Sequence, residues 1–402
     1  MALFVEKGLE TYSKNRVKMD ASVISNTLKN RKILVLQKMG HIGGAEKNLE
    51  SWLDEFIEKY QFNVSILGPG EGPFFDRMND RGFHCFKTQL PDWRKGKNLF
   101  SRYVAQRNML KILKKERFDL IFVNDFFYAP YGVYLSRHKK TPLIVHVQSD
   151  IEKKRVNQYQ LHSLDALIVT THSTFDKVEP FFKEKEREKL KIIPPGVSEK
   201  KQNLLSQKPV PRGKIVFGIA ANILPHKGIQ FFLNLLNELK DQGGWEIHWV
   251  GGDVQNLLDG LRQKINEMQL QDRVFFHGFV EDMSSFYSSI DCLIHPSQFE
   301  PFGMVMVEAM SYGIPVISTQ TAGGVEILGD VDGGRWLVPL NGHKEMANIM
   351  MEMIINPERC LQVSLPFFEK YSSNYRKEIS MKKMEECFCE VLLQSRMGTA
   401  FT

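Results

Sequence analysis

Residues 300–308 read EPFGMVMVE, a pair of carboxylates that enclose only apolar residues, glycine and proline. Burying an unpaired carboxylate is costly, so a helix that served only the core would not carry this pair. Glu300 is predicted to lie just beyond the end of a strand, and Glu308 about one and a half turns into the helix that follows. The two acids can therefore face one ligand from different elements, with a phosphate between them at the helix N-terminus.

The strands and helices that position this pair of acids can be predicted from the pattern of apolar residues. Short β-rich runs alternate with helical stretches from RKILVLQ to LKIIPPGV, and the alternation restarts from KIVFGIA to IPVIST. Such alternation is typical of parallel, doubly wound α/β sheets. The sequence therefore predicts two Rossmann-like domains with a cleft between them. The predicted segments are an extension over residues 1–30, a first domain over 31–197, a linker over 198–212, a second domain over 213–364, and C-terminal helices over 365–402 that pack back on the first domain.

The chain has the composition of a globular protein, with 402 residues of which 43% are hydrophobic and 25% charged. No apolar run approaches the ~20 residues that span a bilayer, and the first twenty residues lack the apolar segment of a secretory signal. The five cysteines are scattered and form no CxxC pair, which argues against a disulfide framework or a structural zinc site. These features predict a cytoplasmic protein.

The neighbourhood of the acid pair closely resembles the retaining glycosyltransferases of family 4, which have the two-Rossmann GT-B fold. Their signature is Glu, seven residues, Glu, in the context Pro-Ser-x-x-Glu-x-Phe-Gly…Glu-Ala-Met…Gly-x-Pro-Val. Here it stands as HPSQFEPFGMVMVEAMSYGIPV, followed by TAGGVEIL. The resemblance covers about residues 31–395 and is strongest in the second predicted domain.

The resemblance implies roles for the residues of this motif. Glu308 would hydrogen-bond the ribose hydroxyls of a sugar nucleotide, and Glu300 would contact the donor sugar near its reacting carbon. Three backbone amides between the two acids would hold the distal phosphate, namely those of Phe302, Gly303 and Met304.

The resemblance also implies cleft residues outside the motif. His146, near the end of the apolar strand in VHVQSD, resembles the histidine that contacts the donor sugar. Gly43 and Gly44 stand in the first glycine-bearing turn, which in the family lines the acceptor side and approaches the donor phosphates. In HGFVEDM, Phe279 and Val280 are expected to line the nucleobase pocket, although ordinary loop residues would give the same pattern.

Lys227, in GIAANILPHKGI, matches the lysine of the family's phosphate loop and would stabilise the diphosphate leaving group. The family usually has an arginine five or six residues earlier, where this chain has Ala221 and Asn222. Either another basic group supplies that charge or leaving-group stabilisation is weaker.

The segment DVDGG, with Asp330 and Asp332, matches a metal-binding DxD motif but is interpreted as a turn. We therefore predict no metal ion and no other cofactor.

These features predict a metal-independent retaining glycosyltransferase that moves a sugar from a nucleoside diphosphate to a glycan or lipid-linked acceptor, in cell-surface polysaccharide biosynthesis. A non-catalytic sugar-nucleotide-binding subunit is one alternative, favoured by the missing arginine. Another GT-B enzyme, such as a sugar-nucleotide epimerase, is a second. No nucleic-acid partner is indicated, and the base and sugar of the donor stay open.

Positive charge is concentrated in the first predicted domain. The formal net charge of the chain is +6, and residues 94–140 carry twelve Lys and Arg residues against three acids. Solvated helix faces would explain this stretch, and so would an anionic partner. We predict peripheral docking on an anionic membrane surface through Arg94, Lys95, Lys97 and the basic cluster over residues 111–117.

Overall fold

The computed structural model describes residues 20–93, 98–199 and 213–399. The predicted docking residues Arg94, Lys95 and Lys97 lie outside these ranges, and so does most of the predicted linker over 198–212. Within them, two sheets of parallel strands form the centres of two α/β halves, which confirms the predicted fold class. The limits of the predicted segments remain predictions.

The first sheet has seven strands in the order β3-β2-β1-β4-β5-β6-β7. Its strands are β1 Lys32–Gln37, β2 Asn63–Gly68, β3 His84–Lys87, β4 Leu120–Asn124, β5 Leu143–Val147, β6 Ala166–Val169 and β7 Leu190–Ile192. The α-helices of this half are α1 Ala21–Leu28, α2 Gly44–Tyr60, α3 Pro73–Asp80, α4 Leu99–Ile112, α5 Ala129–Lys139, α6 Lys153–Gln158 and α7 His172–Val178. Short 3-10 helices cover Phe126–Tyr128, Glu179–Phe181 and Glu184–Lys189.

The second sheet has six strands in the order β10-β9-β8-β11-β12-β13. Its strands are β8 Ile215–Ala220, β9 Trp245–Val250, β10 Val274–Phe276, β11 Cys292–His295, β12 Val316–Thr319 and β13 Leu337–Val338. Its helices are α8 Ile229–Leu239, α9 Leu258–Glu267, α10 Met283–Ser289, α11 Met304–Ser311, α12 Ala322–Leu328 and α13 His343–Ile355, with 3-10 helices at Pro225–Lys227 and Val331–Gly334. Helices α14 Arg359–Gln362, α15 Ser364–Asn374 and α16 Lys377–Thr399 follow.

The central strands are mostly apolar and are buried along nearly their whole length, because helices cover both faces of each sheet. Every residue of β4 and of β5 is buried, including the polar Asn124 and His146. Strands of this kind read as continuous hydrophobic runs rather than as alternating patterns. This is why the apolar runs in the sequence predicted the positions of the strands.

Helix α16 returns from the second half to the first and completes the core there. The ring of Phe388 lies 5.7 Å from the rings of both Trp52 and Phe122, in α2 and β4. Backbone hydrogen bonds between Val197 and both Tyr375 and Lys377 hold the start of this helix. The late helix therefore belongs to the hydrophobic core of the first sheet.

The strand order places the best ligand position of each sheet at the same cleft. In each sheet the winding reverses beside the first strand, between β1 and β4 and between β8 and β11. Ligands of doubly wound sheets bind outside the carboxyl ends of the strands at such a reversal. Among the residues described, no helix is both long and apolar enough to cross a bilayer.

Candidate active site

A cleft of about 380 Å³ lies between the carboxyl ends of the two sheets. The turn after β1 and the loop after β5 line it from the first half, and loops after β8, β10 and β11 line it from the second. Ten residues singled out in the sequence line this cleft, namely Gly43, Gly44, Lys227, Phe279, Val280, Glu300, Phe302, Gly303, Met304 and Glu308.

Lys227 and Glu300 form a close ion pair in the cleft. Lys227 Nζ lies 2.7 Å from Glu300 Oε2, and the two side chains are 21% and 14% exposed. After the lysine, Gly228 has a φ of 89°, and a Cβ atom there would lie 2.0 Å from the carbonyl oxygen of Pro296. Only glycine fits this contact, which packs the lysine loop against the loop of Glu300.

His295, the last residue of β11, lies behind this ion pair. Its Nε2 is 3.4 Å from Glu300 Oε2, and its side chain is only 2% exposed. Burial by itself would raise the pKa of Glu300, but His295 and Lys227 outweigh this effect and lower that pKa to about 2. Glu300 is therefore ionised at neutral pH. The sequence contained this histidine in LIHPS, but no pattern distinguished it from an ordinary core residue.

The motif between the acids brings a helix N-terminus to the cleft. Gly303 caps α11 with a φ of 95°, which favours glycine. The first N–H groups of a helix have no intrahelical acceptor and attract anions. The backbone N–H of Gly323 donates to the Glu300 carbonyl at 2.9 Å, so α12 supports the loop from behind.

Glu308 is held by a buried tyrosine. The hydroxyl of Tyr287 donates to Glu308 Oε2 at 2.7 Å, and the tyrosine side chain is 1% exposed. Burial, together with the nearby carboxylate of Glu308, raises the pKa of Tyr287 well above its usual value. Tyr287 therefore stays protonated and fixes one carboxylate oxygen, leaving the other for a ligand. Sequence reasoning missed Tyr287 because it lies twenty-one residues before its partner on another helix.

A continuous chain of side-chain hydrogen bonds supports the glycine turn of the first half. The amide of Gly43 donates to Glu46 Oε2 at 3.0 Å, and the other oxygen of Glu46 accepts from Gln37 Nε2 at 2.9 Å. Three more amide-to-amide bonds of 2.5–2.8 Å extend the chain through Asn124 and Gln148, which lines the cleft, to Asn48. Asn48 donates the first bond of this series, and Gln148, Asn124 and Gln37 each accept one bond and donate another, so the network orients its members together.

The structure does not bring His146 to the cleft. Its ring is 1% exposed, and burial lowers its pKa to about 3, so the imidazole is neutral. It borders a small internal cavity beside Trp52 and α16. Side chains two residues apart on a strand share a face, and Gln148 is the next residue of that face. Gln148, beyond the end of β5, reaches the cleft instead.

The charge expected near residues 221 and 222 is absent at those positions. Asn222 Oδ1 accepts a hydrogen bond from the amide of Gly252 at 2.9 Å, so its side chain braces the loop after β9. Lys47, in the first turns of α2, lines the cleft from the opposite half.

Of the two acids of DVDGG, Asp330 pairs with Lys370 at 2.7 Å, and neither it nor Asp332 lines the cleft. No cluster of three potential metal-binding side chains occurs within the described part of the chain.

Comparisons with known proteins match both halves of the chain. The family model of "Glycosyl transferases group 1" matches residues 200–364, and that of "Glycosyltransferase Family 4" matches residues 42–201. An uncharacterised glycosyltransferase of Methanocaldococcus jannaschii is 24% identical over 58% of this chain and 65% of its own length. An Escherichia coli UDP-Gal:alpha-D-GlcNAc-diphosphoundecaprenol alpha-1,3-galactosyltransferase is 22% identical over 80% of this chain and 87% of its own.

Among solved structures, Anabaena Alr3699/HepE in complex with UDP and glucose superposes with a TM-score of 0.72, at 20% identity, over 89% of this chain and 99% of that one. Two Rossmann-like sheets that face each other across such a cleft define the GT-B fold class. The two family models together match residues 42–364, and the chain belongs to the glycosyltransferases. The matched part spans less than two thirds of the first curated relatives.

Proposed function

We propose that this protein transfers a sugar from a nucleoside diphosphate to an acceptor hydroxyl, with retention at the anomeric carbon. The observation that carries the proposal is the meeting, in one cleft, of the Lys227–Glu300 pair, the N-terminus of α11 and Glu308. A cation and free backbone amides suit a diphosphate, and carboxylates suit sugar and ribose hydroxyls. Structural relatives crystallised with UDP or UDP-glucose make a uridine donor the first candidate.

Each group has a distinct part in this proposal. Lys227 and the amides over residues 302–304 stabilise the charge that develops on the departing diphosphate, without a metal ion. Glu308, held by Tyr287, accepts hydrogen bonds from the ribose. Phe279, which is 71% exposed at the rim, offers its face to the base. Lys47 approaches from the other half and supplies the second positive charge.

Retention follows from a front-face route in this proposal. No residue is assigned as a covalent nucleophile on the sugar, and the leaving phosphate helps to deprotonate the acceptor as the new glycosidic bond forms on the same face. Analysis of the product by NMR tests this step. A product with inverted anomeric configuration contradicts the route.

The decisive experiment compares Glu300→Gln with the wild-type protein. A thermal-shift panel of UDP-, GDP- and TDP-sugars first identifies the donor, because a bound donor raises the melting temperature. Turnover of that donor should then fall by about a hundredfold or more in the variant, as for other preorganised charges at a reacting centre. Glu267→Gln, on the outer helix α9, is the matched control and should keep full activity.

Two other outcomes identify the alternatives. Donor binding without turnover under any acceptor favours a non-catalytic sugar-nucleotide-binding subunit. Conversion of the donor without any acceptor favours another GT-B enzyme such as an epimerase.

We further propose that the acceptor is presented at an anionic membrane and that α4 docks there. The exposed face of this helix carries Leu99, Phe100 and Tyr103, which are 69%, 81% and 55% exposed. The same face and the turn that follows it carry exposed basic residues and no acid from residue 98 to 115, namely Arg107, Lys111, Lys114 and Lys115. Aromatic and aliphatic side chains beside Lys and Arg are typical of helices that lie in a bilayer interface.

The position of α4 suits an acceptor held in the membrane. The helix follows β3 and so begins at the carboxyl edge of the first sheet, where the cleft lies. Arg102 is not part of this surface, because it is 6% exposed and its guanidinium stacks on Trp93 at 4.6 Å. The relative from Escherichia coli is named for a lipid-linked acceptor, which agrees with this arrangement.

Co-sedimentation with vesicles tests the docking surface. We expect binding to vesicles that contain an anionic phospholipid, weakened by salt because screening shortens electrostatic reach to about 10 Å at 0.1 M. The double variant Phe100→Ser with Tyr103→Ser should bind much less. Ile355→Ser, which removes a side chain that is 76% exposed on α13, is the matched control. Equal binding to neutral and anionic vesicles, or none to either, contradicts the docking.

A further inference from the structure

The ion pair in the cleft must give up one of its partners when a donor binds. Lys227 Nζ lies 2.7 Å from Glu300 Oε2, and the proposed function requires the same ammonium on the donor diphosphate. The lysine has a flexible four-carbon stem and can turn to a ligand. Glu300, which is 14% exposed, would then lose its closest cation. A buried carboxylate without a partner is costly and tends to take up a proton.

A second partner for the same oxygen is already in place. His295 Nε2 lies 3.4 Å from Glu300 Oε2, and within the described residues it makes no hydrogen bond. A buried ring nitrogen without a partner is unusual in a folded protein. Unlike the lysine, the histidine is fixed by the sheet, because it is paired with Ser318 of β12. Its ring is 2% exposed and does not line the cleft.

We propose that His295 is a positioning residue, whose Nε2–H donates to Glu300 after Lys227 has turned to the donor diphosphate. The hydrogen bond keeps Glu300 ionised and aimed at the donor sugar throughout the reaction. The inference rests on the proposed function, since it assumes that a diphosphate draws Lys227 away. His295 itself touches no part of the donor.

Among the titratable groups around Glu300, His295 is the one that can still pair with the carboxylate after Lys227 has turned to the donor. Lys227 and His226 come from the loop after β8, and His295 lies behind the carboxylate. The side chain of His226 is largely exposed, but partial loss of solvent and the adjacent Lys227 lower its pKa, so it is a poor source of positive charge at neutral pH. Of these three groups, His295 alone is both buried and independent of the lysine loop.

The tautomer of His295 gives the first test. The protein labelled with ¹⁵N-histidine is observed by NMR, free and with saturating UDP or GDP, and the His295 signals are assigned by their loss in His295→Gln. We expect a proton on Nε2 in both states and a shift of the Nε2 resonance when nucleotide binds. A neutral ring protonated only at Nδ1 cannot donate to Glu300 and overturns the inference.

Two amide variants give the second test. The amide nitrogen of Gln reaches about as far as imidazole Nε2, whereas that of Asn is one bond shorter, so His295→Gln should keep the hydrogen bond and His295→Asn should lose it. We expect kcat to fall about tenfold to a hundredfold in the Asn variant, with nucleotide affinity nearly unchanged, and to recover largely in the Gln variant. The acid limb of the kcat profile should move to higher pH in the Asn variant.

His248→Gln is the matched control, because His248 also lies on a strand of the second sheet, 3.6 Å from the carboxylate of Glu246. It should leave kcat and the pH profile unchanged. Wild-type turnover and pH profile in the Asn variant overturn the inference, and so does equal loss in the Asn and Gln variants. Failure of UDP, GDP and TDP to bind the wild-type protein contradicts the proposed function instead, and the tautomer in the free protein still decides this inference.

Discussion

At the scale of single residues, the cleft uses carboxylates whose geometry is set by buried partners. Tyr287 holds Glu308 by a 2.7 Å hydrogen bond. We expect Tyr287→Phe to weaken nucleotide binding about threefold to thirtyfold, because the freed carboxylate no longer presents a fixed oxygen to the ribose. The fold should be retained, since the ring volume hardly changes.

Calorimetric titration with the identified nucleotide measures this change. Tyr312→Phe is the matched control, because Tyr312 stacks on Tyr287 with ring centroids 5.2 Å apart and does not line the cleft. A Tyr287→Phe variant that binds as tightly as the wild type would show that the bond to Tyr287 does not position Glu308.

Single residues also show how much of the cleft geometry local sequence patterns can report. Glu300 and Glu308 were located because strand, loop and helix all occur within one short segment, so their separation in space follows from local structure. His146 was singled out from the family resemblance and its place near the end of a strand, and the strand runs one residue beyond it. Gln148, His295 and Tyr287 depend on contacts between distant elements, which no local pattern reports.

At the scale of elements, close backbone contacts shape the N-terminal end of α11, where we propose that the donor phosphate binds. A Cβ atom added at Gly323 would lie 1.9 Å from the carbonyl oxygen of Phe302, which is backbone and cannot move alone. We expect Gly323→Ala to lower the free energy of unfolding by at least about 2 kcal/mol, or to displace the loop and reduce nucleotide binding.

Thermal and denaturant unfolding, with nucleotide titration, measure both effects. Gly260→Ala is the control, because Gly260 lies inside α9 and nothing lies within 4 Å of its added Cβ atom. That variant should be stabilised by roughly 0.5–1 kcal/mol, as expected for alanine in a helix. Equal behaviour of the two variants would contradict the close contact.

The elements were largely predictable because each sheet is covered on both faces, which makes every central strand a visible apolar run. The strand order was not predictable in detail, since it depends on which apolar faces pack together. The return of α16 to the first half was predicted as packing of the C-terminal helices. Its exact partners, such as Trp52 and Phe122, follow only from the structure.

At the scale of the whole molecule, the two halves are joined outside the cleft lining by a titratable contact. Glu326 of α12 accepts hydrogen bonds from the backbone N–H and the Nδ1 of His172 in α7, both at 2.8 Å. The hydrogen bond with Glu326 raises the pKa of His172. The contact between His172 and Glu326 therefore stabilises the folded protein fully below the pKa of unfolded histidine, about 6.5. This stabilisation is lost as pH rises through the higher pKa of His172 in the folded protein.

We expect the stability difference between the wild type and His172→Asn to be largest near pH 6 and to disappear towards pH 9. Because the His172 side chain is 53% exposed, screening by solvent limits this stability difference to a few tenths of a kcal/mol. Thermal unfolding over this pH range measures the difference. His162→Asn, at an exposed position, is the control, and a difference that grows with pH would contradict the assignment.

The path of α16 has a consequence for how the protein is made. The core of the first sheet contains Met384, Cys387 and Phe388, which leave the ribosome after every strand of both sheets. During synthesis, the apolar face around Trp52 and Phe122 thus stays open while the whole second half is being translated. The nascent chain exposes a surface suited to a chaperone for that interval, and the order of folding runs against the order of synthesis: the half that is translated first is completed last.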